Sequence, residues 1–225
     1  MELYLVRHGE TEWSRARRHT GRSDLPLSPA GEAEAKALGD HLRGLEVDRV
    51  LSSPLERATA TARLAGFGDR LELTDALLEF DYGQYEGLTS PQIRATRPDW
   101  DLFRDGCPGG ETVEAATERV RPLVEELVAA GGRSLLFGHG HQLRILAACY
   151  LGLPPAGARH LFLGTASLSV LGIEHHWPAI FLWNEQEGSG AHSAEAGTTG
   201  WRGIPDPGGG SGLMRRSGSP QLDEA

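Results

Sequence analysis

Arg7 and His8 stand side by side in "LYLVRHGETEW", directly after a short apolar run, and Gly9 follows to turn the chain away. A neutral imidazole is a nucleophile, and a guanidinium beside it is a planar fork that matches phosphate oxygens. Two further segments carry the same residue types. Arg57 follows the "VLSS" run in "LSSPLERATATA", and His139 follows the "SLLFG" run in "LLFGHGHQLR". If these runs are neighbouring strands, their ends deliver Arg7, His8, Arg57 and His139 to one side of a sheet. That makes a cationic basket at a helix N-terminus, suited to a phosphate dianion. Taken singly, each has a plainer reading. Arg7 and His8 would be a strand-end salt bridge, Arg57 a solvated first-turn residue, and His139 a satisfied core histidine.

The elements that must hold these groups follow from patterning. "ELYLV", "DRVLSS" and "SLLFG" read as strands, as do the late "SLSVLGIE" and "AIFLWN". Ser28 before Pro29 is a helix start, cap followed by first-turn proline. Ser53-Pro54-Leu55-Glu56 has the spacing of a capping box. Glu111 to Ala130 predicts a long amphipathic helix with Val113, Ala116, Val120, Leu123, Val124 and Leu127 inward. A further helix runs from about Gln142 to Tyr150 and stops at Gly152. Alternating strands and helices predict an α/β fold, a largely parallel sheet with helices on both faces. Ligands of such sheets sit outside the carboxyl ends of the strands. Periodic patterning ends near residue 185. Residues 186–225, with "EGSGAHSAEAGTTG" and "PDPGGGSG", read as a disordered tail too poor in apolar residues to offset its ordering entropy.

The chain has 225 residues and a formal net charge of −9. That balance argues against general binding to nucleic acid or an anionic membrane, which requires a basic face. A small anionic ligand remains compatible, because one basic pocket fits in an acidic protein. Cys107 and Cys149 are too few for a disulfide framework and lack metal-ligand spacing, so a reducing, cytoplasmic setting is expected. No signal peptide is visible, and no apolar run reaches the length of a membrane span. Oligomeric state is not readable.

Together, "LVRHGETEWS", "HTGRSDLPLSPAG", "LSSPLERATATA", "FDYGQYEG" and "LLFGHGHQLR" resemble the histidine phosphatase superfamily, in its phosphoglycerate-mutase-like branch. The likeness runs from about Glu2 to about Trp183. It implies a three-layer α/β/α sandwich. It implies that His8 is the nucleophile, forming a phosphohistidine, with Arg7, Arg57 and His139 holding the phosphoryl oxygens. Thr20 and Gly21 match the family's ligand-contacting loop. The leaving oxygen needs a proton donor, which the family takes from an acid shortly before a Tyr-Gly pair. Glu79 and Asp81 both precede Tyr82, and the family register favours Glu79. No metal or organic cofactor is implied, and the partner is a small phosphorylated substrate.

"FRDGCPGGET", "GHGHQLR" and the late "EHH" resemble the branch of sedoheptulose-1,7-bisphosphatases and related acid phosphatases. A second phosphate would need a distal cation, for which Arg104, Arg144 and the His175–His176 pair are the candidates. Tyr82 is counted with the substrate-binding residues, and His19 would line the entrance. His141 and Arg144 are substrate contacts or supports of His139. Glu86 reads as structural or solvated, and His41, His160 and His192 as surface residues. The alternatives are a cofactor-dependent phosphoglycerate mutase and a non-catalytic phosphate-binding module.

Overall fold

A computed structural model of the chain describes residues 1–186. Strands β1 (Glu2–Arg7), β2 (Arg49–Ser52), β3 (Leu71–Leu73), β4 (Arg133–Gly138), β5 (Leu168–Glu174) and β6 (Trp177–Glu185) form one sheet in the order β3-β2-β4-β1-β5-β6. Helices α1 (Glu12–Arg15), α2 (Pro29–His41), α3 (Glu56–Leu64), α4 (Ser90–Thr96), α5 (Leu102–Asp105), α6 (Val113–Ala130) and α7 (Gly140–Tyr150) surround it. The first four strands in that order are parallel, while β5 runs antiparallel to β1 and β6 antiparallel to β5. The sheet is therefore mixed.

Side-chain alternation explains the layers. Leu3 and Leu5 of β1 join one buried cluster with Leu136 of β4, Val120 and Leu127 of α6, and Leu143 and Leu146 of α7. Val6 joins the other with Leu135 and Phe137, and with Leu38 of α2 and Ala62 of α3. Neighbouring residues of one strand thus serve opposite faces, as a period of two demands. The result is an α/β/α sandwich. All six residues expected on the inner face of α6 are buried. Fully burying each Leu or Phe contributes roughly 1.5–3 kcal/mol. Central β4 is covered on both sides, so Ser134 through Gly138 are all buried.

Several expectations are corrected. α3 starts after Leu55 without a side-chain cap; the Ser53 hydroxyl accepts from Leu55 N at 3.3 Å, outside the helix, and lies 2.8 Å from His139 Nε2. Strand β3 went unforeseen, since three partly exposed residues carry no period. Gln186, placed at the head of the tail, donates from Nε2 to the Thr165 carbonyl at 2.7 Å. The rest of the expected tail, His192 included, lies outside the described residues. Among the described residues no helix is long and apolar enough to cross a membrane.

The parallel strands place their carboxyl ends together. β1 ends next to His8, β4 next to His139 and β2 next to Ser53, and β3 leads through a 3-10 turn (Asp75–Leu77) to Glu79. Arg7 pairs with Gly138 in register, so His8 and His139 leave adjacent strands at the same level.

Candidate active site

His8 sits where β1 ends, and its backbone is fixed on both sides. Its N–H donates to the Gly138 carbonyl at 3.0 Å, and its carbonyl accepts from Ala166 N at 3.1 Å. Gly9 then passes so close to Gly31 that any Cβ there would fall on the Gly31 carbonyl. The Gly9 N–H donates to Thr61 Oγ1 at 3.0 Å, and that hydroxyl donates to the Arg57 carbonyl at 2.7 Å. Nδ1 of His8 lies 2.7 Å from the Gly9 carbonyl oxygen. A carbonyl only accepts, so Nδ1 carries the proton and the lone pair is on Nε2. Burial, and then the Arg57 and Arg7 charges, hold this imidazole well below the usual histidine range. It is therefore neutral at ordinary pH, the state a nucleophile requires.

The His139 ring lies 5.2 Å from that of His8, centroid to centroid, at an interplanar angle of 61°. Arg57 Nε donates to its Nδ1 at 3.2 Å, so its proton is on Nε2, 2.8 Å from Ser53 Oγ. Burial and then Arg57 keep His139 neutral as well. Arg57 is itself fully buried. Its Nη1 donates to the Ser23 carbonyl at 2.8 Å, and its Nη2 to the carbonyls of Thr20 and Gly21 at 3.2 and 2.9 Å. The Thr20–Gly21 loop therefore meets this centre through its carbonyls. The Gly21 and Ser23 N–H groups point instead to the Glu86 carboxylate at 2.9 and 3.1 Å.

Arg7 is different. Its Nη1 donates to the Leu163 carbonyl at 2.6 Å, while its Nε is the one buried side-chain polar atom without a hydrogen-bond partner among the described residues. A buried unpaired donor is costly, on the order of 1–3 kcal/mol, unless an anion meets it. The guanidinium lies under the start of α7, where a Cβ at Gly140 would stand 3.3 Å from its Cζ and Nε. That close approach is why "GHG" carries glycine there. A cationic fork and a helix N-terminus, whose amides carry partial positive charge, then share one anion-friendly corner.

The buried carboxyl of Glu79 reaches the same corner. Oε1 accepts from Gln142 N at 2.9 Å and from Phe80 N at 2.8 Å, and Oε2 accepts from His141 N at 3.2 Å. It caps α7 from outside, and its charge is the first to support the cationic forms of both Arg7 and Arg57 against burial. Asp81 is turned elsewhere: its side chain accepts from Gly83 N at 2.9 Å and lies 3.8 Å from Arg22.

Tyr82 is buried and its hydroxyl lies 2.6 Å from His141 Nδ1. Burial, then Glu79, raises the phenol well above its usual range, so the hydroxyl keeps its proton. His19 packs on Tyr82 at 4.7 Å, and burial lowers it to about 4. Arg144 donates to the carbonyls of Ala158 and Arg159 at 3.1 and 2.9 Å and lies over the Phe103 ring at 4.7 Å. Arg104 is exposed and spends its donors on Asp105 and the Asp99 carbonyl. His176 is corrected outright. β5 pairs Gly172 with Glu2 and Leu168 with Val6, so the His175–His176 turn lies beyond the amino end of β1. At about 3.3 Å per residue that is about 20 Å from His8. The antiparallel direction of β5, invisible to patterning, is the reason.

Sequence reasoning missed the contact of Ser53 with His139 and the role of Thr61. Ser53 reads in sequence as the first residue of a capping box. Thr61, four residues after Arg57 on one helix face, had the spacing for a back-bond to its carbonyl, a usable signal.

The comparisons with known proteins agree with this geometry. The family described as "Histidine phosphatase superfamily (branch 1)" matches residues 3–186. An acid phosphatase of Mycobacterium tuberculosis is 42% identical over 177 residues, covering 77% of this chain and 87% of the relative. A probable phosphoglycerate mutase GpmB of Salmonella choleraesuis is 34% identical over 203 residues, covering 85% and 94%. The solved structure of a Mycobacterium tuberculosis open reading frame product superposes with a TM-score of 0.79 at 37% identity, covering 82% of this chain and 97% of that one. A mycobacterial glucosyl-3-phosphoglycerate phosphatase superposes at 0.75 and 31% identity, covering 82% and 99%. Sequence, fold and the pairing of His8 with His139 converge: this chain belongs to branch 1 of the histidine phosphatase superfamily and is a phosphatase-type enzyme.

Proposed function

We propose that the chain hydrolyses small phosphate monoesters through a phosphohistidine at His8, without a metal ion. The observation that carries this is the His8 Nδ1–Gly9 carbonyl bond, which puts the lone pair on Nε2 of a buried ring, in a site that also holds a buried Arg7 Nε without a hydrogen-bond partner. The lone pair attacks phosphorus, and the bond from phosphorus to the ester oxygen breaks. The imidazole then carries positive charge, which the Gly9 carbonyl accepts through the Nδ1 proton. Arg7, Arg57, His139 and the α7 N-terminus surround the phosphoryl oxygens, where charge spreads in the transition state. Glu79 Oε2, which accepts only one backbone bond, is the atom to hold the proton given to the leaving oxygen. Water next attacks phosphorus, the phosphorus–nitrogen bond breaks with its electron pair returning to Nε2, and the water proton goes to Glu79. Phosphate leaves, and neutral His8 is restored.

A small phosphorylated metabolite, sugar phosphates included, is the substrate class. The named neighbours support it, among them glucosyl-3-phosphoglycerate phosphatase and alpha-ribazole phosphatase. Thr20, Gly21 and Tyr82 would frame the entrance. The engagement of Arg104 and Arg144 with other groups favours one phosphate over two. The likeness to a probable phosphoglycerate mutase keeps isomerisation as the competing reading.

Rapid acid-free quenching during turnover, followed by intact-mass and peptide analysis, tests the central step. One phosphoryl group on the His8 peptide, absent from His8→Ala, is expected, with activity retained in chelator. No phosphoenzyme at any substrate level, with His8→Ala still active, rejects the mechanism. Interconversion of phosphoglycerates faster than phosphate release assigns the mutase reaction.

A further inference from the structure

Arg119 lies on α6, far in sequence from every segment that carries the site. Its guanidinium nevertheless gathers the backbone on which Glu79 is mounted. Nη1 reaches the carbonyl oxygens of Asp75, Ala76 and Leu78 at 3.2, 3.0 and 2.9 Å. Nη2 reaches the Glu79 carbonyl at 3.4 Å and Gln142 Oε1 at 2.9 Å. Nε and Nη2 form a two-pronged pair with the Glu111 carboxylate at 2.8 and 3.0 Å. The pair is mostly shielded, at 18% and 17% side-chain exposure, where an ion pair holds its geometry better than at the surface.

The two partners of Arg119 complete a frame. Glu111 accepts from Asp81 N at 3.0 Å, and its own N–H donates to the Asp81 carbonyl at 2.9 Å. Glu79 is thus pinned before and after, through residues 75–78 and residue 81. Gln142, fully buried, donates from its backbone to Glu79 Oε1 and from Nε2 to the Ala76 carbonyl at 3.2 Å. The same guanidinium therefore fixes the chain that carries the carboxyl and the side chain of the residue that receives it.

We infer that Arg119 is a positioning residue for the proton donor, acting through Glu111 and Gln142 to aim the Glu79 carboxyl at the leaving oxygen. This rests on the reading of Glu79 as the donor. A planar fork with fixed donors suits the task; an ammonium, which lacks the fork, cannot span the carbonyls and the carboxylate together. Proton donation matters most when the leaving oxygen is strongly basic, so misplacing the carboxyl should harm alkyl esters and spare activated aryl esters.

The test compares glycerol phosphate with p-nitrophenyl phosphate in Arg119→Lys, Arg119→Gln, Glu79→Gln and the double variants, with folding followed by thermal melting. Arg119→Lys is expected to lower kcat on glycerol phosphate by about tenfold or more, and on p-nitrophenyl phosphate by less than about threefold. In the Glu79→Gln background the Arg119 substitution should cause no further selective loss, because the group it aims is gone. An equal loss on both esters, or a selective loss that persists without Glu79, overturns the positioning role while the donor reading stands. Should Glu79→Gln itself slow both esters alike, the donor reading falls first. If Arg119→Gln does not fold, Arg119→Lys carries the comparison through its preserved charge.

Discussion

The sheet carries two pairs of histidines at opposite ends. His8 and His139 stand on adjacent parallel strands at the carboxyl end, buried, bonded through both backbone and ring, and pushed well down in pKa. His175 and His176 form the turn between β5 and β6, exposed, with His175 in the left-handed region at φ 54°. Around the first pair lie two guanidiniums and the start of α7. Around the second lie the exposed Ile173, Trp177 and Phe181. Residue type is the same at both ends. What differs is strand direction. Parallel strands lead into helices whose amide-rich N-termini face the same side, and a loop there is held by many partners. An antiparallel hairpin offers only its own backbone.

The sharpest way to break this contrast is substitution at each pair. His8→Ala is expected to remove turnover of p-nitrophenyl phosphate by about 10⁴-fold or more, as loss of a nucleophile does. His175→Ala and His176→Ala should remain within about twofold of the parent. Comparable losses at both ends would remove the distinction. A smaller effect is expected at Ser53, which accepts the His139 Nε2 proton. Ser53→Ala leaves that buried donor unpaired, costing about 1–3 kcal/mol in a melt and slowing turnover by roughly tenfold. An unchanged melting curve would show that the Ser53 contact adds nothing to the hold on His139, whose tautomer Arg57 already sets.

Arg144→Met sharpens the comparison differently. If the Ala158 and Arg159 carbonyls are its true partners, stability should fall by about 1–2 kcal/mol. The ratio of sugar bisphosphate to monophosphate turnover should stay constant. A selective loss on bisphosphates would restore Arg144 as a distal phosphate ligand.

The smallest and most graded effect is on pH. His8, His19, His139 and His141 all have folded values below the ordinary 6.5. The unfolded chain therefore binds protons that the folded chain refuses. Their contribution to stability is complete above about pH 6.5 and declines as pH falls toward the folded values. For each group the decline is at most about 1.4 kcal/mol per pH unit. Melting temperature should drop steadily between pH 7 and 5, and less steeply in His19→Phe, which removes an imidazole that burial lowers to about 4. Over the same window kcat/KM should show no loss centred at 6.5, because His8 is already neutral. A clear inflection there would mean that His8 titrates normally.

The site was legible where chemistry sits on strand ends. Arg7, His8, Arg57 and His139 each follow an apolar run, and alternation along the chain placed those runs in one sheet. Glu79 was legible only through its register against Tyr82, and its bonds to the start of α7 were not. Arg104 and Arg144 read in sequence as candidates for a distal phosphate, because arginine carries no sign of which carbonyl or carboxylate it will meet. Glu86 read as structural or solvated, and the structure decides for the first: it fills the backbone donors of Gly21 and Ser23.

What the amino-acid order determined by itself was local: five of the six strands, where α2 is capped, which face of α6 is buried, and which residues stand at the ends of β1, β2 and β4. These follow from periodicity and from caps, which act over a few residues. What only the tertiary structure decided was direction and pairing: that β5 runs against β1, that His139 meets Ser53, and that Arg119 grips the chain under Glu79. Such contacts join segments tens of residues apart. A hydrogen bond depends on the final separation and angle of two groups, and no local pattern encodes either.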